Sequence, residues 1–174
     1  MKILAKDIAG EMHSSADSAV VTRSQPWFVP DEGTPWSGEM YIAAVVSRLG
    51  KGVATKFARR YYDRICVVVH PCPAEASTCS EWTRDGAILA SDHITLDTLG
   101  DTATLAVDDE TYTIDIAAKF VELDALVGDI TACHTIKTGD MLLLPLPVAA
   151  IALERPLTRE ISLDGKRIMK LKVR

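Results

Sequence analysis

Two apolar runs stand out along the chain. "EMYIAAVVSRL" (39–49) closes on the turn "GKG", and "RICVVVH" (64–70) runs into His70-Pro71-Cys72-Pro73. The first predicts a strong strand, and the second, more continuously apolar, a buried one. Alternation returns later. "ATLAVDDETYTI" predicts two strands around Asp108-Asp109, and "ISLDGKRIMKLKV" predicts a hairpin on Asp164-Gly165. "SAVVT" and "PWFVP" are short β-like pieces set off by turn residues. Helical spacing occurs twice. Leu123, Leu126, Val127 and Ile130 fall at i, i+3, i+4 and i+7, predicting a helix over 122–133. "ATKFARRYYD", with Phe57, Tyr61 and Tyr62, predicts a short amphipathic helix. "KTGD" then turns the chain into "MLLLPLPVAAIAL", strands interrupted by Pro145 and Pro147.

These elements predict a β-rich α+β fold with few short helices and no alternating βαβ rhythm. A length of 174 residues suits one domain over 1–174, with residues 1–15 as a short N-terminal region. There is no repeat, and no Gly-rich phosphate loop, GxSxG or HExxH motif occurs.

Charge and composition narrow the function classes. The net charge is −5, and the densest basic cluster, "KRIMKLKVR", alternates basic with apolar residues, as a strand with one cationic face would. Nucleic acid is therefore not an expected partner. No apolar run reaches the ~18 residues of a membrane helix, and residues 1–13 lack a leader pattern, so the expected location is the cytoplasm, without a membrane. Cys66, Cys72, Cys79 and Cys133 are then expected as free thiols. A zinc site of His70, Cys72, Cys79 and Cys66 is disfavoured: no CxxC pair occurs, and Cys66 lies inside a predicted strand.

Three stretches together resemble the fumarylacetoacetate hydrolase family: "PWFVPDEGTPWSGEMYIAAVVSRLGKGV", "ATKFARRYYDRICVVVHPCPAE" and "HTIKTGDMLLLPLP". The resemblance spans roughly residues 16–174 and implies the mixed β-roll or sandwich of that family's C-terminal domain. It also implies a divalent metal on three carboxylates, two from a Glu-x-Glu strand and one from a strand-end Asp. A lysine loop, a Thr-Gly-Thr turn and an N-terminal lid with a catalytic base complete the family's site. Carried over residue by residue, the three ligand positions are Glu39, Tyr41 and His70. The following Arg-Asp pair falls on Ala74 and Glu75. The lysine loop falls on "EWTRDGA", where Trp82 or Thr83 replaces the lysine, Arg84 is the nearest cation and Asp85 remains. The Thr-Gly-Thr-Pro turn becomes Leu144-Pro145-Leu146-Pro147. His13 is the only histidine in the N-terminal region, and no motif places it in a site.

Charge arithmetic sets the functional expectation. Three carboxylates offer −3 to a divalent ion, whereas Glu39, Tyr41 and His70 offer −1, because a phenol and a neutral imidazole carry no charge near pH 7. Mg²⁺ and Ca²⁺ accept imidazole poorly, so no cofactor is expected, with Glu39 the sole retained carboxylate. The leading expectation is a pseudoenzyme scaffold, homodimeric or paired with an active homologue, with a small oxo-acid as candidate ligand. In that reading His70 bonds to a neighbour and Tyr41 fills the space of a lost glutamate and metal. The alternative is a re-tooled hydrolase, isomerase or decarboxylase for an acylpyruvate-type substrate. It would hold Zn, Fe, Mg or Mn on Glu39, Tyr41 and His70 with Cys72, or use His70 and Glu39 as a metal-free acid–base pair with Tyr41 as donor.

Overall fold

The structure, a computed structural model, describes residues 1–22, 25–31, 34–75 and 81–174. Its strands are β1 (Lys2–Lys6), β2 (Met12–Ala16), β3 (Val20–Thr22), β4 (Pro26–Trp27), β5 (Trp36–Val46), β6 (Tyr62–Pro73), β7 (Ile88–Ala90) and β8 (Ile94–Thr95). They continue with β9 (Thr102–Val107), β10 (Glu110–Asp115), β11 (Met141–Pro145), β12 (Ile151–Ala152), β13 (Leu157–Leu163) and β14 (Lys166–Val173). Helix α1 (Ile116–Cys133) lies between β10 and β11. Cys79 lies outside the described residues.

The larger sheet runs β2-β1-β11-β5-β6-β7-β3, with β12 also on β5 and β8 on β6. It is mixed: β1 pairs parallel to β11, and β3 parallel to β7. The second sheet runs β10-β9-β13-β14-β4. Both predicted hairpins form, and Asp108, Asp164 and Gly165 adopt the positive φ that tight turns require.

The large sheet is buried on both sides, which accounts for the non-alternating runs in β5 and β6. Met40, Ile42, Ala44 and Val46 point into the main core, with the apolar stripe of α1 and residues of the second sheet such as Leu105 and Ile161. Tyr41, Ala43 and Val45 point the other way, into a smaller cluster with Cys66, Val68, Trp82, Ile88 and Leu143. The candidate site lies on that second face.

Three predicted boundaries are corrected. The helix begins at Ile116 rather than 122, because Asp115 caps it: its carboxylate accepts from the Ala118 N–H at 2.8 Å. Ile116, buried, and Phe120, packed on the core, extend the stripe of Leu123 and Val127 back to that cap. "ATKFARRYYD" forms a 3-10 turn over Thr55–Tyr61, and Tyr62 is drawn into β6. α1 packs tightly on that turn, since a Cβ at Gly128 would come within 2.7 Å of Thr55 Oγ1. Arg59 and Tyr62 both reach Asp124 of α1, at 3.0 and 2.8 Å. Finally, β6 does not stop at His70 but continues to Pro73, with Pro71 opposite Gly38 and Pro73 opposite Trp36. β7 pairs with β6 only at Val68 and Val69, so the prolines lie along a stretch where a missing N–H costs no ladder bond on that side.

Candidate functional site

Period-two geometry builds the site. On β5, Glu39 and Tyr41 project from one face, and on β6, Cys66, Val68, His70 and Cys72 do so. The register sets Glu39 directly opposite His70. The structure thus places Glu39, Tyr41 and His70 on one face of the β5–β6 ladder. The Tyr41 hydroxyl donates to Glu39 Oε2 at 2.9 Å, and the Tyr41 ring meets the His70 ring edge-on with centroids 6.2 Å apart. Burial, then the Glu39 carboxylate, drives the Tyr41 phenol well above its ordinary value, so it stays a proton donor at any physiological pH.

His70 is 1% exposed. Its Nδ1–H donates to the Ala87 carbonyl at 2.8 Å, which fixes the tautomer and leaves a lone pair on Nε2. Among the described residues, Nε2 is buried without a hydrogen-bond partner. A 3-10 turn, Glu81–Thr83, covers the histidine. There Trp82 stacks on His70 with centroids 3.7 Å apart and planes 13° from parallel. Trp82 also stacks on His13 at 5.0 Å and meets Tyr41 edge-on at 5.6 Å, and its carbonyl accepts from the Ser15 hydroxyl. A phenol, an indole and an imidazole therefore fill the floor of the site.

A recess of about 330 Å³ opens beside them, lined by Asp7, Ile8, Ala9, Glu39, Tyr41, Glu81 and Trp82. Its polar lining is acidic. Burial, and then the like charge of Glu39, holds the Glu81 carboxyl above its ordinary value. Asp7 goes the other way: partial burial pushes it up, but bonds from His13 and the Glu11 backbone overcome this and lower it. His13 Nε2 lies 2.7 Å from Asp7 Oδ2.

Other expected positions diverge from the trio. The Arg84 guanidinium lies over the Trp36 ring, 5.0 Å from its centroid, and Asp85 is exposed. Leu144 and Leu146 are buried in the main core. Sequence reasoning missed Asp7, His13 and Glu81 as site residues, and read Trp82 only as a substitute for a lysine. No local motif flags them. They arrive through the β1–β2 hairpin, which parallel pairing with β11 delivers to this face, and through a turn after β6.

Two clusters hold donor atoms within 4.8 Å of one another: His70 with Cys72 and Glu81, and Asp7 with Glu11 and His13. Glu39 belongs to neither among the described residues. In the second cluster Asp7 is committed to the hairpin turn, since Oδ1 accepts the Glu11 N–H at 2.8 Å and Oδ2 meets His13. Among the described residues Asp7 and Glu81 line the same recess as Glu39, but no cluster of donor atoms within 4.8 Å joins the three carboxylates, so they are not gathered as one hard-cation site.

Comparison with known structures identifies the fold as that of the fumarylacetoacetate hydrolase family. A fumarylacetoacetate hydrolase family protein of Yersinia pestis CO92 superposes with a TM-score of 0.80 at 15% identity, over 99% of this chain and 92% of that one. Maleylpyruvate hydrolase of Sphingobium sp. SYK-6, also solved with manganese(II) and pyruvate, gives 0.81 at 16% identity, over 99% and 69%. Fumarylpyruvate hydrolase of Pseudomonas aeruginosa, solved with Mn²⁺ and pyruvate, gives 0.76 at 14% identity, over 99% and 88%. No family model and no curated protein matches the sequence. Among the described residues, no helix is long and apolar enough to cross a membrane.

The buried histidine makes a pH prediction. Burial holds its pKa near 4 against an ordinary 6.5, despite the Ala87 bond pulling upward. The unfolded chain therefore takes up a proton near pH 6.5, while the folded protein does so only near pH 4. Stability is intact above 6.5 and falls by on the order of 2–3 kcal/mol as the pH drops to 4. Asp7 titrates below its unfolded value of 3.8, whereas Glu81, held above 4.5, takes up its proton earlier in the folded protein and offsets part of the slope. Urea midpoints measured from pH 7 to 4 should show the slope. His70→Asn keeps a donor for Ala87 and should flatten it.

Proposed function

We propose that this chain carries the fumarylacetoacetate hydrolase fold without that family's Mg²⁺- or Mn²⁺-dependent hydrolase or isomerase reaction: a pseudoenzyme with respect to acylpyruvates. The observation that carries the reading is the Glu39–Tyr41–His70 trio. Two of the three positions that the family resemblance assigns to carboxylates hold a neutral phenol and a neutral imidazole. The phenol is bonded to the one remaining acid, and the imidazole is packed under Trp82. A hard dication held by the trio would have one charged ligand, Glu39, because Asp7 and Glu81 line the recess without sharing a donor cluster with it, and one charged ligand does not offset the ion's dehydration. Metal-free chemistry on a 1,3-dioxo acid fares no better. The substrate carboxylate would face Asp7, Glu39 and Glu81, and among the described residues lining the recess there is no cation to neutralise an enolate, the Tyr41 hydroxyl being bonded to Glu39. The same repulsion argues against a bare oxo-acid as resident ligand. Homodimerisation and pairing with an active homologue remain expectations from the resemblance, consistent with exposed Phe28, Leu49 and Val121 but not specific to them.

The test is turnover of maleylpyruvate and fumarylpyruvate with added Mg²⁺ or Mn²⁺, followed by loss of substrate absorbance and appearance of pyruvate. The expected rate equals that of buffer with metal alone. Saturable hydrolysis that depends on Glu39 would refute the reading.

A further inference from the structure

We propose that His70, Cys72 and Glu81 form a binding site for Zn²⁺, distinct in donor set from the trio that replaces the family's carboxylates. One ring nitrogen of His70, the Cys72 sulfur and a Glu81 carboxylate oxygen lie within 4.8 Å of one another. Tetrahedral Zn²⁺ with bonds of about 2.0–2.3 Å places its donors roughly 3.3–3.8 Å apart, so the cluster has to tighten by only about 1 Å.

Three features separate this cluster from an incidental grouping. First, His70 is prepared as a ligand. Its Nδ1–H is fixed on the Ala87 carbonyl, leaving Nε2 as a buried lone pair with no partner among the described residues. A backbone carbonyl holding the far nitrogen is the usual outer support of zinc-bound histidine. Second, the charges balance: a Cys72 thiolate and the Glu81 carboxylate supply −2 against +2, where Glu39, Tyr41 and His70 supply −1. Third, the donors are N, S and O, the set that borderline-soft Zn²⁺ accepts and Mg²⁺ or Mn²⁺ does not favour.

The fold explains how the ligands meet. His70 and Cys72 are i and i+2 on β6, so they share a face, and the turn that stacks Trp82 on His70 also brings in Glu81. Without metal, the Cys72 thiol makes a long bond, 3.5 Å, to the His70 carbonyl. Burial and the neighbouring carboxylates Glu39 and Glu81 keep that thiol protonated. Zinc would displace the proton, relieve the repulsion between Glu39 and Glu81, and tie the 81–83 turn to the sheet. Three protein ligands leave a fourth position for water or a small ligand, and Glu81 also lines the recess, so the ion would stand at its wall. There it would supply the positive charge that the recess otherwise lacks.

The experiment uses reduced protein purified without chelator. Metal analysis, Zn²⁺ titration against a chromophoric chelator and Co²⁺ substitution are read together. One tightly held equivalent is expected, with a thiolate-to-cobalt charge-transfer band in the near ultraviolet. Cys72→Ser should abolish the band, Glu81→Gln should weaken Zn²⁺ by about tenfold or more, and Cys133→Ser, at an exposed position, should change neither. Absence of any saturable Zn²⁺ or Co²⁺ binding would overturn the proposal, as would a band that survives Cys72→Ser. Neither outcome touches the acylpyruvate assay with Mg²⁺ or Mn²⁺, so the two proposals fail separately.

Discussion

Replacing Tyr41 with Glu and His70 with Asp in the same chain should raise Mn²⁺ affinity by about 100-fold or more over the unaltered protein. Ligand charge count is the strongest lever on the affinity of an oxygen site, and the double change takes the trio from −1 to −3. The register of β5 and β6 supports convergence. Residue 39 faces residue 70 across the ladder, and residue 41 shares their face, so three carboxylates there would point at one volume. The cost should appear in the metal-free state. Three mutually repelling acids would replace a phenol–carboxylate bond, and a carboxylate at position 70 could not donate to the Ala87 carbonyl. The variant should therefore melt well below the parent without metal and recover in proportion to Mn²⁺ concentration, as mass action on the folded state requires. Each single change should give a smaller gain. Calorimetric titration with Mn²⁺ checks the affinity. Unchanged affinity in a folded double variant would show that missing carboxylates are not what separates this site from a hard-metal centre. Turnover is not expected to return with the metal, because Leu144-Pro145-Leu146-Pro147 still occupies the segment aligned with the Thr-Gly-Thr turn.

The second large effect is predicted at Trp82. This indole is 3% exposed and joins three aromatic side chains from three places: His70 of β6, Tyr41 of β5 and His13 of β2. Truncation to alanine removes the ring and leaves a cavity that the rigid β5–β6 ladder cannot close. A loss of about 3–5 kcal/mol follows, a large share of the stability of a domain this size. Because Trp82 also shields His70 from water, the imidazole should move back toward its ordinary pKa, and the acid-side slope of stability should shrink with it. Urea unfolding at pH 7 and at pH 5 measures both consequences. Arg84→Ala, two residues further along the chain at the Trp36 face, should cost under about 1 kcal/mol. A comparably small cost for Trp82→Ala would mean that the aromatic floor does not hold the site together.

The apolar runs of β5 and β6 are legible in the sequence because both faces of those strands are covered, which forces the continuous pattern. The hairpins are legible from Asp108-Asp109 and Asp164-Gly165, where the turn chemistry is local. The alignment of Glu39, Tyr41 and His70 follows from the resemblance and the strand period, and the structure places them together. What escapes depends on long-range pairing. β1 joins β11 with Ile3 beside Met141, and that single parallel contact brings Asp7 and His13 to the site. Nothing near residue 13 signals it. Glu81 and Trp82 escape for a related reason: their role is set by a turn folding back over β6, whereas the local sequence "EWTRDGA" offers no period. Cys72 is legible as a candidate ligand alongside Cys79, but its Glu81 partner is visible only in three dimensions.

The preference of this protein among metal ions underlies both proposals, the absence of acylpyruvate chemistry and the zinc site. Calorimetric titration of the unaltered, metal-stripped protein with Mn²⁺ addresses it most directly. The predicted result is no saturable heat below about 1 mM Mn²⁺. One equivalent bound at about 10 µM or tighter, and lost in Glu39→Gln, would contradict it, because a single carboxylate beside a phenol and an imidazole would then be holding a hard cation.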